Sequence, residues 1–246
     1  MLTHTFLLAV AAGYAAAQIS GISTNCSSAF LVVSNDPSVS TCLSPITLAG
    51  LVTGGSGSAV NVIDQWVDKI CPAAPCSNAT LATVVNTIVA GCSSEIASLG
   101  ITTSASQLVP IVQQGYPAVR QIVCLKDGSN NCITETLGNI QSATGQNITI
   151  SSFLSVFTQA GNLPSNVTCT NCQKASYNII AKQEPTIASS LQQTLQNKCG
   201  ASFTDGTQPS GIAESASTAS PATSNSALEL VVTDRAQFSS PVALKW

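Results

Sequence analysis

Ten cysteines carry most of the chemistry that this sequence offers. They are Cys26, Cys42, Cys71, Cys76, Cys92, Cys124, Cys132, Cys169, Cys172 and Cys199. An even number is what complete pairing into disulfides requires, and the sequence alone leaves the connectivity open. Because each half of the chain holds five cysteines, complete pairing needs at least one bridge between the halves. We therefore expect one fused, disulfide-stapled domain.

Two closely spaced pairs of cysteines have alternative interpretations. Cys169-Thr-Asn-Cys172 has the spacing of a thioredoxin-like motif, but that motif follows a strand, and the residues before Cys169 are typical of a loop. Together with Cys71 and Cys76, these cysteines have the composition of a structural zinc site. Thiols oxidise in secreted proteins, so we expect structural half-cystines. We predict no metal and no cofactor.

Histidine is represented only by His4, in the expected leader, so the usual serine and cysteine catalytic groups have no base. An acid-based hydrolase remains open and would need two carboxylates opposed across a cleft. The candidates are Asp36, Asp64, Asp68, Glu95, Asp127, Glu135 and Glu184. Asp64 and Asp68 lie four residues apart, on one helix face. A solvated surface is the simpler interpretation of this pair, so we predict no catalytic residue and no enzyme.

The elements that hold these residues read as helices, because apolar residues recur at helical spacing. We predict helices at residues 60–70, 77–91, 107–113, 116–124, 133–140, 152–158, 173–182 and 185–199, and a short one after Pro45. Ser77 is expected to cap the second helix and Gly200 to end the last. Trp66 is placed at the edge of the core. Lys126 to Asn131 is turn chemistry, no Asn-Gly hairpin signal is present, and the predicted fold class is all-α.

Composition divides the chain into three parts. Residues 1–17 form an expected signal peptide, with an apolar run followed by small residues. Residues 18–206 form the cysteine-rich helical domain. Residues 207–246 are rich in Ser, Thr, Pro and Ala, and predict a disordered stalk and tail. The gaps between cysteines follow a similar succession in both halves, which suggests two related half-repeats fused into one core.

The charge and apolar patterns limit the partners and the compartment. Only 8% of the residues are charged and the net charge is −3, so clustered basic residues for nucleic acid are missing. After the leader, no apolar run reaches the roughly 20 residues of a transmembrane helix. Sequons at Asn25, Asn78, Asn147 and Asn166 predict N-glycosylation. With the cysteines, these features predict secretion to the extracellular space or cell wall.

Several phrases of the sequence resemble a known family. They are Asp36-Pro-Ser-Val-Ser-Thr-Cys42-Leu, Trp66-Val, Tyr116-Pro-Ala-Val-Arg120, Cys124-Leu-Lys-Asp-Gly128 and Leu163-Pro-Ser-Asn-Val-Thr-Cys169. Over most of residues 20–212 the chain resembles an uncharacterised family of cysteine-rich secreted proteins, of unknown function, from filamentous, mushroom-forming fungi. The resemblance implies no activity or ligand. Family members often end in an apolar tail resembling a glycolipid-anchor signal, but charges at Glu229, Asp234, Arg235 and Lys245 argue against such an anchor here.

A looser likeness connects the spacing Cys71-x4-Cys76-x15-Cys92 with elicitins, small helical proteins that bind sterols. The other cysteine spacings differ, so the likeness is an analogy. Three functions therefore stay open. The first is a secreted, glycosylated, non-enzymatic surface or wall protein, with a cell-wall glycan as the candidate partner. The second is a carrier of a sterol or another apolar small molecule, which needs a cavity of about 300 Å³ or more. The third is the acid-based hydrolase.

Overall fold

The computed structural model describes residues 23–48, 58–98, 103–148 and 163–219 of the 246-residue chain. The expected signal peptide, the helix predicted at residues 152–158 and the chain beyond residue 219 lie outside these ranges. Within them, the predicted all-α class is confirmed, with five disulfides and one small sheet.

The helices are α1 (Thr24–Asn35), α2 (Pro37–Leu43), α3 (Ala59–Ile70), α4 (Asn78–Gly91), α5 (Ser93–Ser98), α6 (Ala105–Val123), α7 (Cys132–Thr144), α8 (Ser165–Thr168), α9 (Asn171–Gln183) and α10 (Pro185–Cys199). Short 3-10 helices span Pro45–Leu48 and Ala201–Thr204. The strands are β1 (Leu125–Asp127), β2 (Asn130–Asn131) and β3 (Ile212–Glu214), in the order β2-β1-β3, with both pairings antiparallel.

Local sequence signals account for several of these boundaries. The Ser77 hydroxyl accepts the backbone N–H of Thr80 at the start of α4, and Gly200 ends α10 at a φ of 88°. The apolar face of α3 is buried as its spacing predicts, and Trp66 is 8% exposed at its edge. Helices at 60–70, 77–91, 133–140, 173–182 and 185–199 are thus confirmed with small shifts of their ends.

The two short helices predicted at 107–113 and 116–124 are a single helix, α6, with Pro110 and Pro117 inside it. Each proline removes one helical N–H and was expected to end or kink the helix. The helix continues because it packs along α4 and buries Leu108 and Ala118. A capping box formed by Ser104 and Gln107 also stabilises its N-terminus. Tertiary packing here outweighs local propensity.

The folded chain extends past residue 206, where the stalk was expected to start. β3 pairs with β1, and the backbone N–H groups of Ser215 and Ser217 donate to the carbonyls of Cys124 and Cys71, at 3.0 and 2.7 Å. Main-chain hydrogen bonds do not depend on apolar side chains, so the Ser- and Ala-rich composition gave no sign of them. Residues 207–217, which the sequence assigns to the disordered stalk, thus include a strand and main-chain contacts with the helical domain.

The largest core cluster lies between α3 and α7 and includes Trp66, Val67, Leu137 and Ile140. A second cluster joins α1 to α4 through Ala29, Val33 and Ile88. Where α1 and α4 meet, Gly91 lies so close to Ala29 that an added Cβ would overlap its side chain. Within the described ranges, no helix combines the length and the apolar character needed to cross a bilayer.

Candidate functional site

All ten cysteines are paired. The bridges are Cys26–Cys92, Cys42–Cys76, Cys71–Cys124, Cys132–Cys172 and Cys169–Cys199. Cys71–Cys124 is the bridge between halves that the odd number in each half requires. Cys169 and Cys172 belong to different bridges, and so do Cys71 and Cys76. Both close pairs are therefore structural in this state, and none of these sulfurs is a thiolate that could bind zinc.

The pairing does not repeat between the two halves. In the first half, Cys42–Cys76 is nested inside Cys26–Cys92. The third cysteine of this half, Cys71, bonds to Cys124 in the other half. In the second half, Cys132–Cys172 and Cys169–Cys199 overlap, and the first cysteine crosses. The similar succession of gaps does not correspond to a similar set of bridges. The hypothesis of two half-repeats gains no support from them.

An apolar cavity of about 90 Å³ lies among the helices before Cys124. Its lining residues are Val33, Val39, Leu43, Pro45, Trp66, Ile70, Leu81, Val84, Val85, Val112, Tyr116, Val119, Arg120 and Val123. Ordinary small-molecule pockets start at roughly 300 Å³. The cavity is therefore too small for a sterol, and none of its lining residues is acidic.

The polar groups of this lining bind the backbone. Trp66 Nε1 donates to the Leu43 carbonyl at 2.7 Å. The Tyr116 hydroxyl accepts the backbone N–H of Cys76 at 2.9 Å. The first contact fixes the end of α2 beside Cys42, and the second fixes the loop that carries Cys76. The aromatic residues at the cavity consequently serve to position chain segments, which sequence spacing did not reveal.

Arg120 is the charged residue of the lining and is only 6% exposed. Its Nη1 donates to the Ile70 carbonyl at 2.9 Å, and its Nη2 donates to the carbonyls of Cys71 (3.1 Å) and Ala73. These carbonyls follow the end of α3, where backbone acceptors lack helical partners and the helix dipole is negative. The guanidinium thus caps α3 from another helix. In the sequence, this role is indicated only by the position of a charged residue within the apolar run of α6.

Three of the candidate acids, Asp36, Glu95 and Glu184, accept hydrogen bonds that hold helix ends or neighbouring segments. Asp36 caps α2 by accepting the backbone N–H of Ser38 at 2.8 Å, and the hydrogen bonds from Ser38 lower its pKa. Glu95 accepts the backbone N–H of Ser23 at 2.7 Å, which with the hydroxyl of Ser94 lowers its pKa to about 2. Glu184 accepts from the Gln114 side chain.

Asp64 and Asp68 form a small polar network with the buried Asn131. Its Nδ2 donates to Asp64 at 2.8 Å and to Asp68 at 3.3 Å. Thr134 also donates to Asp64, and Lys126 lies 3.7 Å from the Asp68 carboxylate. The pair is therefore not a simple solvated face. It attaches α3 to the start of α7, next to the β1–β2 hairpin.

Asp127 and Glu135 are brought together, with their nearest oxygens and the Cys172 sulfur all within 4.8 Å of one another. Burial, and then the charge of Asp127, raise the pKa of Glu135. Cys172 is half of a disulfide and offers no thiolate to a metal. Neither acid lines the apolar cavity. The structure thus brings a carboxyl group of β1 next to one of α7.

All four sequon asparagines, Asn25, Asn78, Asn147 and Asn166, are exposed. Each is therefore accessible to a glycan in the folded protein, although the Asn147 side chain also accepts from Gln141 at 3.0 Å. Glycosylation itself stays a prediction. Comparison of the chain with family models, curated proteins and solved structures gives no match.

Proposed function

We propose that this protein is a secreted, glycosylated, non-enzymatic component of an extracellular or cell-wall surface. The observation that carries the proposal is the complete pairing of ten cysteines into five bridges. Such a dense framework forms and persists in oxidising compartments, and it stabilises a small domain outside the cell.

Two further features support a binding or structural role. The acids Asp36, Glu95 and Glu184 are engaged in hydrogen bonds that hold helix ends and neighbouring helices. The exposed sequon asparagines are distributed over α1, α4, α8 and the chain after α7. Glycans there would cover separate parts of the surface and keep the protein hydrated at a wall, with wall glycan as the proposed partner.

Expression in a fungal host followed by fractionation tests this proposal. We expect the protein in the medium or the wall fraction, with a sugar-dependent mass. After deglycosylation, its mass should be lower than that of the reduced chain by two hydrogens for each of the five bridges. A chain that stays inside the cell with free thiols would overturn the proposal. Cys76→Ala, which opens Cys42–Cys76, should lower secretion.

A carrier role is the second candidate, and the apolar cavity favours a compact apolar molecule over a sterol. Trp66 lines the cavity, and deleting residues 220–246 leaves it as the single tryptophan. Its fluorescence should shift on titration with 1-hexanol but not with a sterol. Filling the cavity by Val84→Phe should abolish the shift, whereas the exposed-site control Val32→Phe should keep it. An unchanged spectrum with both probes would exclude this role.

A further inference from the structure

The five bridges differ in how well solvent reaches them. Eight cysteines are at most 5% exposed. Cys169 and Cys199 are the two partly exposed ones, and they are bonded to each other. Part of this bridge therefore faces solvent while the rest packs against Tyr177 and Phe203, whereas the other four bridges are covered by the fold. Exposed bridges are the labile ones in proteins, because exchange requires access to a sulfur.

The accessible bridge also holds the least buried long helix of the fold. Of the fifteen residues of α10, only Ala188 is buried. Leu195 is half-buried against Tyr177 and Phe203, and Leu191 is 38% exposed. The end of α10 is therefore attached by few apolar contacts and by one covalent link to the loop before α9. Two hydrogen bonds add to these, from Lys198 to the Leu163 carbonyl and from Gln196 to the Thr204 hydroxyl.

The surroundings of Cys169 favour it as the leaving sulfur. It directly precedes Thr170, the N-cap of α9, so its sulfur is close to the positive end of a thirteen-residue helix. The Thr168 hydroxyl lies 3.6 Å from its Sγ and can donate to a thiolate there. A better stabilised thiolate leaves faster in thiol–disulfide exchange. The entering thiol should accordingly attack Cys199.

We propose that Cys169–Cys199 is a thiol-exchange site for an extracellular dithiol and that its opening loosens the end of α10. One thiolate of the reagent bonds to Cys199 Sγ, and the bond to Cys169 breaks, leaving a Cys169 thiolate that takes up a proton. The second reagent thiol then displaces Cys199, which leaves as a thiol. The reagent is oxidised to a cyclic disulfide, and the protein gains two electrons and two protons.

The segment after α10 should stay in place when the bridge opens, because side-chain contacts hold it on α9. Lys174, on α9, donates to the Ser202 carbonyl at 2.6 Å and pairs with Asp205 at 2.8 Å. These contacts hold the segment after α10 on α9 without the bridge. The opened state is therefore a local one, in which the last turns of α10 lose the covalent link and keep the hydrogen bond from Lys198 to the Leu163 carbonyl. This inference goes beyond the proposed surface role. The extracellular origin of the dithiol rests on that role, whereas the order in which the bridges react does not.

Graded reduction of the native, full-length protein tests the inference. The protein is exposed briefly to increasing dithiothreitol, quenched with N-ethylmaleimide and mapped by peptide mass. We expect Cys169 and Cys199 to be labelled roughly ten-fold or more faster than the other eight cysteines. Earlier labelling of another bridge, or simultaneous labelling of all ten, would overturn the proposal. Thr168→Val should slow the first step without changing the order, compared with Asn166→Gln, which removes the same sequon and keeps the hydroxyl.

Limited trypsin digestion of the selectively reduced protein tests the structural consequence. Cleavage after Lys198 should be faster than in the oxidised protein, while cleavage after the exposed Lys69 on α3 should be unchanged. Cys169→Ser combined with Cys199→Ser should give the same pattern without reductant. If neither sample shows faster cleavage after Lys198, the bridge does not restrain α10 and that part of the proposal is wrong.

Discussion

The segment before α6 and the segment after it hold their folds in different ways. Residues 23–98 contain two nested bridges, Cys26–Cys92 and Cys42–Cys76, and all four of these cysteines are buried among helices. Residues 124–219 have overlapping bridges, a small sheet, a polar network and a long helix that buries little. In the first segment the disulfides add to a core. In the second, covalent and polar links add to several apolar clusters, which include Leu137, Leu125 and Phe203, and the Cys169–Cys199 bridge is partly exposed.

Besides the α3–α7 contacts, the two segments meet at a junction formed by a disulfide, a buried cation and residues 212–217, here called the C-terminal strap. Cys71 and Cys124 are bonded there, and Arg120 donates to the Cys71 carbonyl. Ser217 donates to the same carbonyl from the other side. Because the links share acceptors, loss of one should weaken the others. The junction is thus the part of the fold on which both segments depend.

Replacing Arg120 by methionine should give the largest loss of stability. The change removes the guanidinium donor from the carbonyls of Ile70, Cys71 and Ala73. The Cys71 carbonyl keeps the backbone N–H of Ser217, so two acceptors lose their donor, and each unsatisfied buried acceptor costs about 1 to 3 kcal/mol. We expect the free energy of unfolding to fall by about 3 kcal/mol or more, measured by urea denaturation. Lys69→Met, at an exposed cation on α3, is the matched control and should stay near wild type. Equal effects would refute the capping role of Arg120.

Removal of the C-terminal strap should give the next largest effect. Deletion of residues 212–246 eliminates β3 and the donors at Ser215 and Ser217, each worth about 1 kcal/mol net. We expect a loss of about 2 to 3 kcal/mol in urea denaturation. Deletion of 220–246 alone keeps these contacts and should cost little. If the two truncations are equally stable, β3 contributes nothing to the junction.

Two helical glycines should respond with opposite signs. Gly91→Ala forces a Cβ into Ala29 and close to the Asn25 carbonyl, so overpacking should cost about 1 to 3 kcal/mol. At Gly138, on α7, an added Cβ meets nothing within 4 Å, and alanine should stabilise by about 0.5 to 1 kcal/mol. Thermal unfolding of both variants measures the difference. Stabilisation by Gly91→Ala would show that α1 and α4 pack less closely than the structure indicates.

The same contrast explains how much the sequence could predict. Helices whose apolar faces are buried, such as α3 and α4, were predicted from spacing because burial selects that spacing. α6 was split at Pro110 because its continuity comes from packing against α4, which no local signal contains. β3 was missed because its contacts are made by backbone groups. The bridge partners were left open because connectivity depends on the fold, whereas the need for a bridge between halves follows from counting.

The candidate acids show the limits of spacing in the same way. Asp64 and Asp68 were correctly placed on one helix, but their shared partner Asn131 is more than sixty residues away in sequence. Asp127 and Glu135 meet only because the β1–β2 hairpin turns the chain back between them. Long-range contacts of this kind are set by topology. A sequence alone can name the residue types but not their neighbours.

The smallest predicted effects are on pH dependence, and they differ in sign between Glu95 and Glu135. Glu95 has a folded pKa lowered to about 2, because its carboxylate accepts hydrogen bonds from Ser23 and Ser94. Its contribution to stability is present above its ordinary pKa of 4.5 and is lost as the pH falls toward 2. Glu95→Gln should therefore flatten part of the decrease in melting temperature on the acid side. Asp36 and Asp205, whose pKa values are also lowered, should preserve the rest.

Glu135 should behave in the opposite direction. Burial and the Asp127 charge raise its pKa in the folded state, so ionisation disfavours folding as the pH rises above 4.5. Glu135→Gln keeps the shape, removes that charge and should raise the melting temperature at pH 7 but not at pH 3. Asp127→Asn should do the same more weakly, since it removes only the charge that acts on Glu135. A lower melting temperature at pH 7 in both variants would mean that the carboxyl pair stabilises the second segment, through contacts that an amide cannot replace.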